Sequence, residues 1–489
     1  MMEKIMTFLF VGQTPDGQPQ NLPLAYANRH GLIAGATGTG KTITLQVLAE
    51  AFSKAGVPVF ATDIKGDLSG LSLAGQESDA LKSRLQQRGL PVPEFRSTPS
   101  IFWDIFGEKG HPLRATVSDM GALLLSRLLN ASEAQEGVLS IAFRIADAEG
   151  LLLLDLKDLR SVLTYVADNA DEFSKQYGHI TRQSVGSVQR ALLQLEDQGA
   201  DSFFGEPALT ITDFLKITPD GQGYVNLLAA EKLISSPKIY ATFLLWMLSE
   251  LYETLPEVGD LEKPKLVLFF DEAHLLFQDT PKVLLEKIEQ VVRLIRSKGV
   301  GVYLITQNPM DIPDTVLGQL GHRVQHALRA FTPKDQKALK VAAETFRPNP
   351  DFRTEELLPQ LAVGEALTSF LEKDGVPGVV QRTFIVAPTG QIGAINDEER
   401  QSILKKSLFY QNYTQAVDRD SAYERLQSRA DAQNQNQRGG ISERQSLSSY
   451  ERRGDSLVTV ALKSAVRAAS SRAGREIMRG LLGSLSKRF

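Results

Sequence analysis

No cysteine occurs anywhere in the 489 residues. That absence excludes a disulfide framework, a thiolate-bound zinc or iron–sulfur centre and a thiol nucleophile, and it suits a reducing compartment. Long apolar runs are also missing. Runs such as Leu151 to Leu154 and Leu266 to Phe270 fall far short of the roughly 20 residues that a membrane-crossing helix needs. Near the start, Lys4 and the apolar stretch Ile5 to Val11 resemble the first parts of a signal peptide. Gln13-Thr14-Pro15-Asp16 follows without a small-x-small cleavage site, so the segment reads as a short strand and a cytoplasmic location is expected. Charge of one sign is scarce too: 54 Lys+Arg against 58 Asp+Glu leave a net charge of -4, which makes no whole-chain case for nucleic-acid binding.

What is present is an ordinary globular composition, 42% hydrophobic and 23% charged, with length for about two to four domains. The charge is unevenly spread. Residues 401–489 hold 16 Lys/Arg against 8 Asp/Glu, a balance of +8, so residues 1–400 carry -12. An acidic body with a basic tail suggests separate tasks along the chain.

His30 to Ala34 reads as a buried strand, Lys41 to Ala55 as a helix and Val57 to Thr62 as a second buried strand. Strand, helix, strand over so short a stretch is a βαβ unit and implies a parallel sheet. Between about Pro112 and Thr218 the pattern turns helical, with Met120–Leu129, Gly137–Ala148, Leu156–Ala167 and Gln183–Gln198 as helices. Strand signals return at Gly223 to Leu227, Lys265 to Phe270, Gly301 to Ile305, Arg323 to Ala327 and Thr383 to Val386, with helices over Pro237–Leu255 and Pro281–Ser297. The expected division is an α/β core over 1–105 and 221–397, a helical insertion over 106–220 and a flexible basic tail over 398–489. Within that tail, residues 431–440 read as a disordered linker.

Gly35-Ala36-Thr37-Gly38-Thr39-Gly40-Lys41-Thr42 matches G-x-x-x-x-G-K-[ST] and lies between the predicted strand and helix. There, backbone N–H groups and a helix N-terminus can point at phosphates, with glycines allowing close approach. Lys41 would reach the β/γ-phosphates, and the Thr42 hydroxyl would hold Mg²⁺. A second element follows at Leu266 to Glu272. Its apolar residues form a buried strand that delivers Asp271 and Glu272 at its C-terminal end, the ligand-facing end of a parallel sheet. Asp271 is the candidate Mg²⁺ ligand and Glu272 the candidate base that orients and deprotonates water. Gln307, after the strand Gly301 to Ile305, is placed to sense the γ-phosphate or position that water. Asp63 or Asp67 could reach the metal's outer shell, although a turn explains Asp63 to Asp67 equally well.

These motifs, with the phrases Asn28 to Gly35, Phe270 to His274 and Arg296 to Val302, resemble the HerA branch of the HerA–FtsK ATPases over about residues 8–400. The resemblance implies a RecA-like P-loop NTPase core with a mainly parallel sheet. It also implies ATP and Mg²⁺ as cofactors, a homo-hexameric ring with ATP between subunits, and DNA translocation in related members. Rings of this kind use an arginine supplied across the interface, and Arg29, Arg293 and Arg296 lie where family members carry functional arginines. DNA-processing HerA proteins have an N-terminal β-barrel ahead of the core. Only 34 residues precede Gly35 in this sequence, so their DNA-repair role is not carried over.

His322 and His326 have the spacing of a helical metal pair, but strand-like Val324 lies between them and no third ligand is evident. Ser184 and Ser187 lack a His/Asp set. In the tail, Ala461, Ala465, Ala469, Ala473, Ile477, Leu481 and Leu485 recur beside a row of Lys463, Arg467, Arg475 and Arg479. That pattern predicts a basic amphipathic helix for packing on a protein partner, a membrane surface or DNA. The reading is therefore an Mg²⁺-dependent ATPase ring acting on DNA. The alternative is a nucleotide-gated scaffold acting on a protein partner. A kinase is less well matched, because the Asp-Glu pair followed by Thr-Gln suits attack by water.

Overall fold

Short apolar runs bounded by Gly, Pro and Asp become strands, and the computed structural model describes residues 7–259, 261–277 and 282–439. The strands are β1 (Phe8–Gln13), β2 (Pro19–Pro23), β3 (Gly31–Ala34), β4 (Val59–Asp63), β5 (Ser100–Asp104) and β6 (His111–Pro112). They continue with β7 (Val225–Ala229), β8 (Leu266–Phe270), β9 (Val300–Thr306), β10 (His322–His326), β11 (Glu365–Ser369) and β12 (Gln381–Ile385). All join a 12-stranded sheet in the order β2-β1-β12-β11-β10-β3-β9-β8-β4-β7-β5-β6. From β10 to β6 every pairing is parallel, and from β10 through β11, β12 and β1 to β2 every pairing is antiparallel.

The central strands β3, β4, β8 and β9 are buried along their whole length. Helices on both faces demand such continuous apolar runs, and so these strands were the easiest to predict. The strands missed by sequence patterning have local reasons. Pro19 and Pro23 sit in β2, which is an edge strand and can spare their missing N–H groups. In β11 the buried polar residue Thr368 meets Thr383 of β12 across the sheet, hydroxyl to hydroxyl at 2.7 Å, so a polar composition is compatible with burial.

Two compact units partition the described residues. One takes 7–114, 198–203 and 207–416 and contains the whole sheet; the other takes 115–197, 204–206 and 417–439. The second is helical, with Val117–Leu128, Glu133–Glu149, Leu156–Asp168 and Arg182–Glu196 as its longer members. Side-chain caps start them: Thr116 with Asp119, Ser132 with Gln135, and Asp155 with Asp158 form reciprocal capping boxes.

The helix Ala422–Gly439 belongs to this unit and packs on Leu156–Asp168. Asp158 anchors its start, with Oδ1 accepting from the Tyr423 N–H at 2.9 Å and from the Ser421 hydroxyl. Composition predicted a disordered linker over 431–440, yet the helix runs on through Gly439. The stretch Asp431 to Arg438 contains no glycine or proline, and a helix already nucleated against a neighbour extends at little cost through Gln, Ala and Arg. The predicted basic helix over 461–485 lies outside the described residues.

Two buried histidines of β10 tie that strand to the segments around it. His322 places Nε2 2.8 Å from the Tyr26 carbonyl, and its Nδ1 accepts from the Leu371 N–H at 3.4 Å. His326 places Nδ1 2.9 Å from the Glu365 carbonyl and Nε2 2.8 Å from the Thr44 hydroxyl. These partners fill both ring nitrogens, so neither histidine is a metal ligand. Burial pushes both down to about 4. We expect their ring nitrogen NMR signals to remain those of neutral imidazole at about pH 5.5; imidazolium shifts at that pH would contradict this burial and bonding.

Candidate nucleotide-binding site

The phosphate-binding loop leaves β3 and enters the helix α1 (Lys41–Lys54) with its glycines in conformations that side chains resist. Gly35, Gly38 and Gly40 have φ of 150°, 77° and 115°. The loop is tied down at both flanks. Ala36 N–H donates to the Ala327 carbonyl at 2.8 Å, and the Gly364 N–H donates to the Thr39 carbonyl at 3.2 Å. Lys41, buried at the start of α1, donates from Nζ to the Gly35 and Ala36 carbonyls at 2.7 and 3.1 Å. Its ammonium is thereby held inside the curve of the loop, where phosphate oxygens would replace the carbonyls.

Because β3, β9, β8 and β4 are adjacent and parallel, the loops that leave their C-terminal ends converge. A hydrogen-bond chain crosses these loops in strand order. Thr37, after β3, donates its hydroxyl to Gln307 Oε1 at 3.2 Å. Gln307, after β9, donates Nε2 to Glu272 Oε1 and Oε2 at 3.2 and 3.3 Å. Lys65, after β4, donates Nζ to Glu272 Oε1 at 3.0 Å. His274 Nδ1 lies 3.5 Å from Glu272 Oε2. Glu272 itself has φ 45° and ψ 50°, a left-handed conformation that costs a non-glycine residue on the order of 1 kcal/mol and recurs at functional turns. Asp271 is fixed by its backbone N–H to Thr62 Oγ1 at 2.9 Å, while its Oδ1 accepts the Glu272 N–H at 2.9 Å.

The electrostatics separate the two carboxylates. Burial works to raise Glu272, but Lys65, Gln307 and His274 outweigh it and hold the group below the ordinary carboxylate range. Burial, with Glu272 next door, pushes Asp271 up to about 6. Asp63, at the end of β4, is pushed up to about 7 by burial, with Glu231 and Asp271 adding to the rise. Burial also drives Lys41 down. Burial, helped by neighbouring carboxylates, thus disfavours the ionised form of Asp271, a cost that a divalent cation would relieve. Among the described residues no group of three or more His, Asp or Glu is gathered as a protein-only metal cage. The donor set therefore fits Mg²⁺ held by the Thr42 hydroxyl and Asp271, with water and phosphate oxygens completing its shell.

Gly35, Ala36, Thr37, Gly38, Thr39, Gly40, Lys41 and Thr42 form one loop and helix start, with Asp271, Glu272 and Gln307 beside it. The arginines are elsewhere. Arg29 precedes β3 and Arg296 precedes β9, at the N-terminal ends of strands whose other ends bear the site. The Arg29 guanidinium lies over the Tyr26 ring at 4.7 Å, and Asn28 Nδ2 donates to the Arg296 carbonyl at 3.4 Å. Arg293 is exposed in the last turn of the helix Lys282–Ile295. Sequence reasoning missed Lys65 as a partner of Glu272. The segment Asp63 to Asp67 was read for its carboxylates, and only the adjacency of β4 to β8 reveals the lysine.

A family model described as helicase HerA-like C-terminal matches residues 9–489. Two proteins of Methanocaldococcus jannaschii that bear the name probable helicase are relatives. One is 31% identical over 156 residues, covering 29% of this chain and 28% of its own length. The other is 22% identical over 347 residues, covering 70% and 60%. The chain thus spans less than two thirds of the length of either relative. Among solved structures, the bacterial conjugative coupling protein TrwBdeltaN70 superposes with a TM-score of 0.51 at 15% identity, over 81% of this chain and 91% of that one. TrwB in complex with the non-hydrolysable GTP analogue GDPNP gives 0.51 at 14% identity, over 81% and 98%. At such identities the likeness shows the fold: a RecA-like P-loop core.

The loop geometry yields a graded test. A Cβ on Gly35 would lie 2.6 Å from the His326 Cβ and 3.1 Å from its backbone, whereas one on Gly38 would meet nothing within 4 Å. Gly35→Ala should therefore destabilise the protein by about 1–3 kcal/mol, and Gly38→Ala by about 1 kcal/mol for its backbone conformation alone. Urea unfolding of both variants measures this, and a larger loss in Gly38→Ala would contradict the loop as described.

Proposed function

The chain belongs to the helicase HerA-like C-terminal family, and on that premise we propose that it hydrolyses ATP with Mg²⁺ and couples turnover to movement along DNA in a homo-hexameric ring. The observation that carries the chemistry is the chain from Thr37 through Gln307 to Glu272 across the mouth of the phosphate loop. It supports a water-activating carboxylate aligned by a γ-phosphate-sensing amide. Lys41 and the loop N–H groups bind the β- and γ-phosphates. Gln307 orients the water, and Glu272 takes its proton at a carboxylate oxygen. Bound Mg²⁺, held through Thr42 and Asp271, supplies charge neutralisation at the phosphate oxygens.

Several features support the wider reading. TrwB, which shares the fold, was solved with a nucleoside triphosphate analogue, and the two relatives carry helicase names. Arg29, Arg293 and Arg296 stand away from the phosphate loop of their own chain, so any of them that acts on phosphate would do so in a neighbouring subunit. The body is acidic, and the +8 balance of residues 401–489 offers DNA phosphates a local attraction. No described helix is long and apolar enough to cross a membrane.

Glu272→Gln should retain nucleotide binding and lose turnover by about 10²-fold or more, and Lys41→Ala should lose both. Wild-type turnover in Glu272→Gln would remove the carboxylate from its role. Steady-state turnover without polymer, and with single-stranded DNA, duplex DNA or RNA, tests the coupling on the full chain and on a chain ended after Gly439. Stimulation by DNA is expected. Stimulation by no polymer would favour a nucleotide-gated scaffold, and loss of DNA stimulation in the shortened chain would assign DNA contact to the tail.

A further inference from the structure

Lys65 is the one strongly charged side chain of the hydrogen-bond chain to which the family motifs give no task. It lies one strand beyond Glu272, at the C-terminal end of β4, and its side chain remains 44% exposed while the Glu272 side chain is 7% exposed. A lysine so placed does not serve packing. Its ammonium donates to Glu272 Oε1, the same oxygen that receives Gln307 Nε2. Gln307 Nε2 also reaches Oε2 at 3.3 Å, so both carboxylate oxygens hold donors and two side chains pin the proposed base. Lys65 also lies close enough to Lys41 for the two cations to repel each other. Two ammonium groups thus border one phosphate site, but only Lys41 is enclosed by the loop.

We propose that Lys65 is a positioning residue that discriminates nucleoside triphosphate from diphosphate: it pins Glu272 while no terminal phosphate is present and transfers to that phosphate when a triphosphate binds. The inference rests on the ATPase reading above and deepens it. An ammonium has three donors on a flexible four-carbon stem, so exchanging a carboxylate for a phosphate oxygen needs only rotation of an exposed side chain. A phosphate carrying more than one negative charge is the stronger partner, and the exchange leaves Glu272 one donor fewer. A diphosphate lacks the terminal group and leaves the pair closed. In the free protein, Glu272 and a triphosphate then compete for Lys65.

Competition of this kind is visible in binding. Calorimetric affinities for ADP and for the non-hydrolysable analogue adenylyl imidodiphosphate, with Mg²⁺, would be measured on the full chain and its variants. Lys65→Met should weaken the triphosphate analogue about tenfold and leave ADP within about twofold, while Lys65→Arg, which keeps charge and reach, should restore most of the difference. Glu272→Gln should tighten the triphosphate analogue by freeing Lys65, and this gain should vanish in the Lys65→Met background. Equal weakening of both nucleotides by Lys65→Met, or no weakening, would overturn the proposal. So would a Glu272→Gln gain that persists without Lys65, since simple charge repulsion would then explain it. If the unaltered chain binds neither nucleotide, the ATPase reading falls and takes this inference with it.

Discussion

Glu272 must lie at the same sheet edge as the phosphate loop, and the parallel order β3-β9-β8-β4 is what puts it there. Parallel strands deliver all their C-terminal loops to one side, so four chain segments far apart in sequence present Thr37, Gln307, Glu272 and Lys65 as neighbours. An antiparallel partner anywhere in this block would send one of those loops to the opposite edge. The antiparallel strands β11, β12, β1 and β2 are added outside the block, beyond β10, where they extend the sheet without interrupting the site. They still touch it, because the turn into β11 brings the Gly364 N–H to the Thr39 carbonyl and so braces the loop.

Charge is the second constraint. Asp63, Asp271 and Glu272 crowd one end of the buried β4 and β8, and the first two are pushed up to about 7 and 6 chiefly by burial. A protein gains nothing in stability from such a cluster, and its persistence is in keeping with a site arranged for phosphate and a cation. Glu272 escapes the same fate through Lys65, Gln307 and His274. One carboxylate is thus kept ionised and oriented, while the other sits where, in the proposed function, a metal would stabilise it. The left-handed backbone at Glu272 belongs to the same arrangement, for it turns consecutive carboxylates toward different partners.

Much of the site was legible in the sequence. Phosphate chemistry fixes the Gly, Lys and Thr spacing of residues 35–42, and buried parallel strands are continuous apolar runs, so Asp271, Glu272 and Gln307 could be placed at strand ends without a structure. The fold's central strands were legible for the same reason. Lys65 was not, since a single lysine in a turn acquires meaning only when β4 pairs with β8, across 207 residues of sequence. β11 was hidden because its buried Thr368 is satisfied by a threonine on the next strand. The helix Ala422–Gly439 was hidden because its start depends on Asp158, a residue of the helical unit remote in sequence. In each case the missing information was a long-range partner, which local composition does not encode.

The account stands on water as the nucleophile at the terminal phosphate. Hydrolysis of ATP in ¹⁸O-enriched water, with phosphate and ADP examined by mass spectrometry after a single turnover, tests that directly. Label in the released phosphate and none in the ADP is the predicted result. Label in the ADP, or transfer of the phosphoryl group to a solute with no free phosphate released, would contradict it.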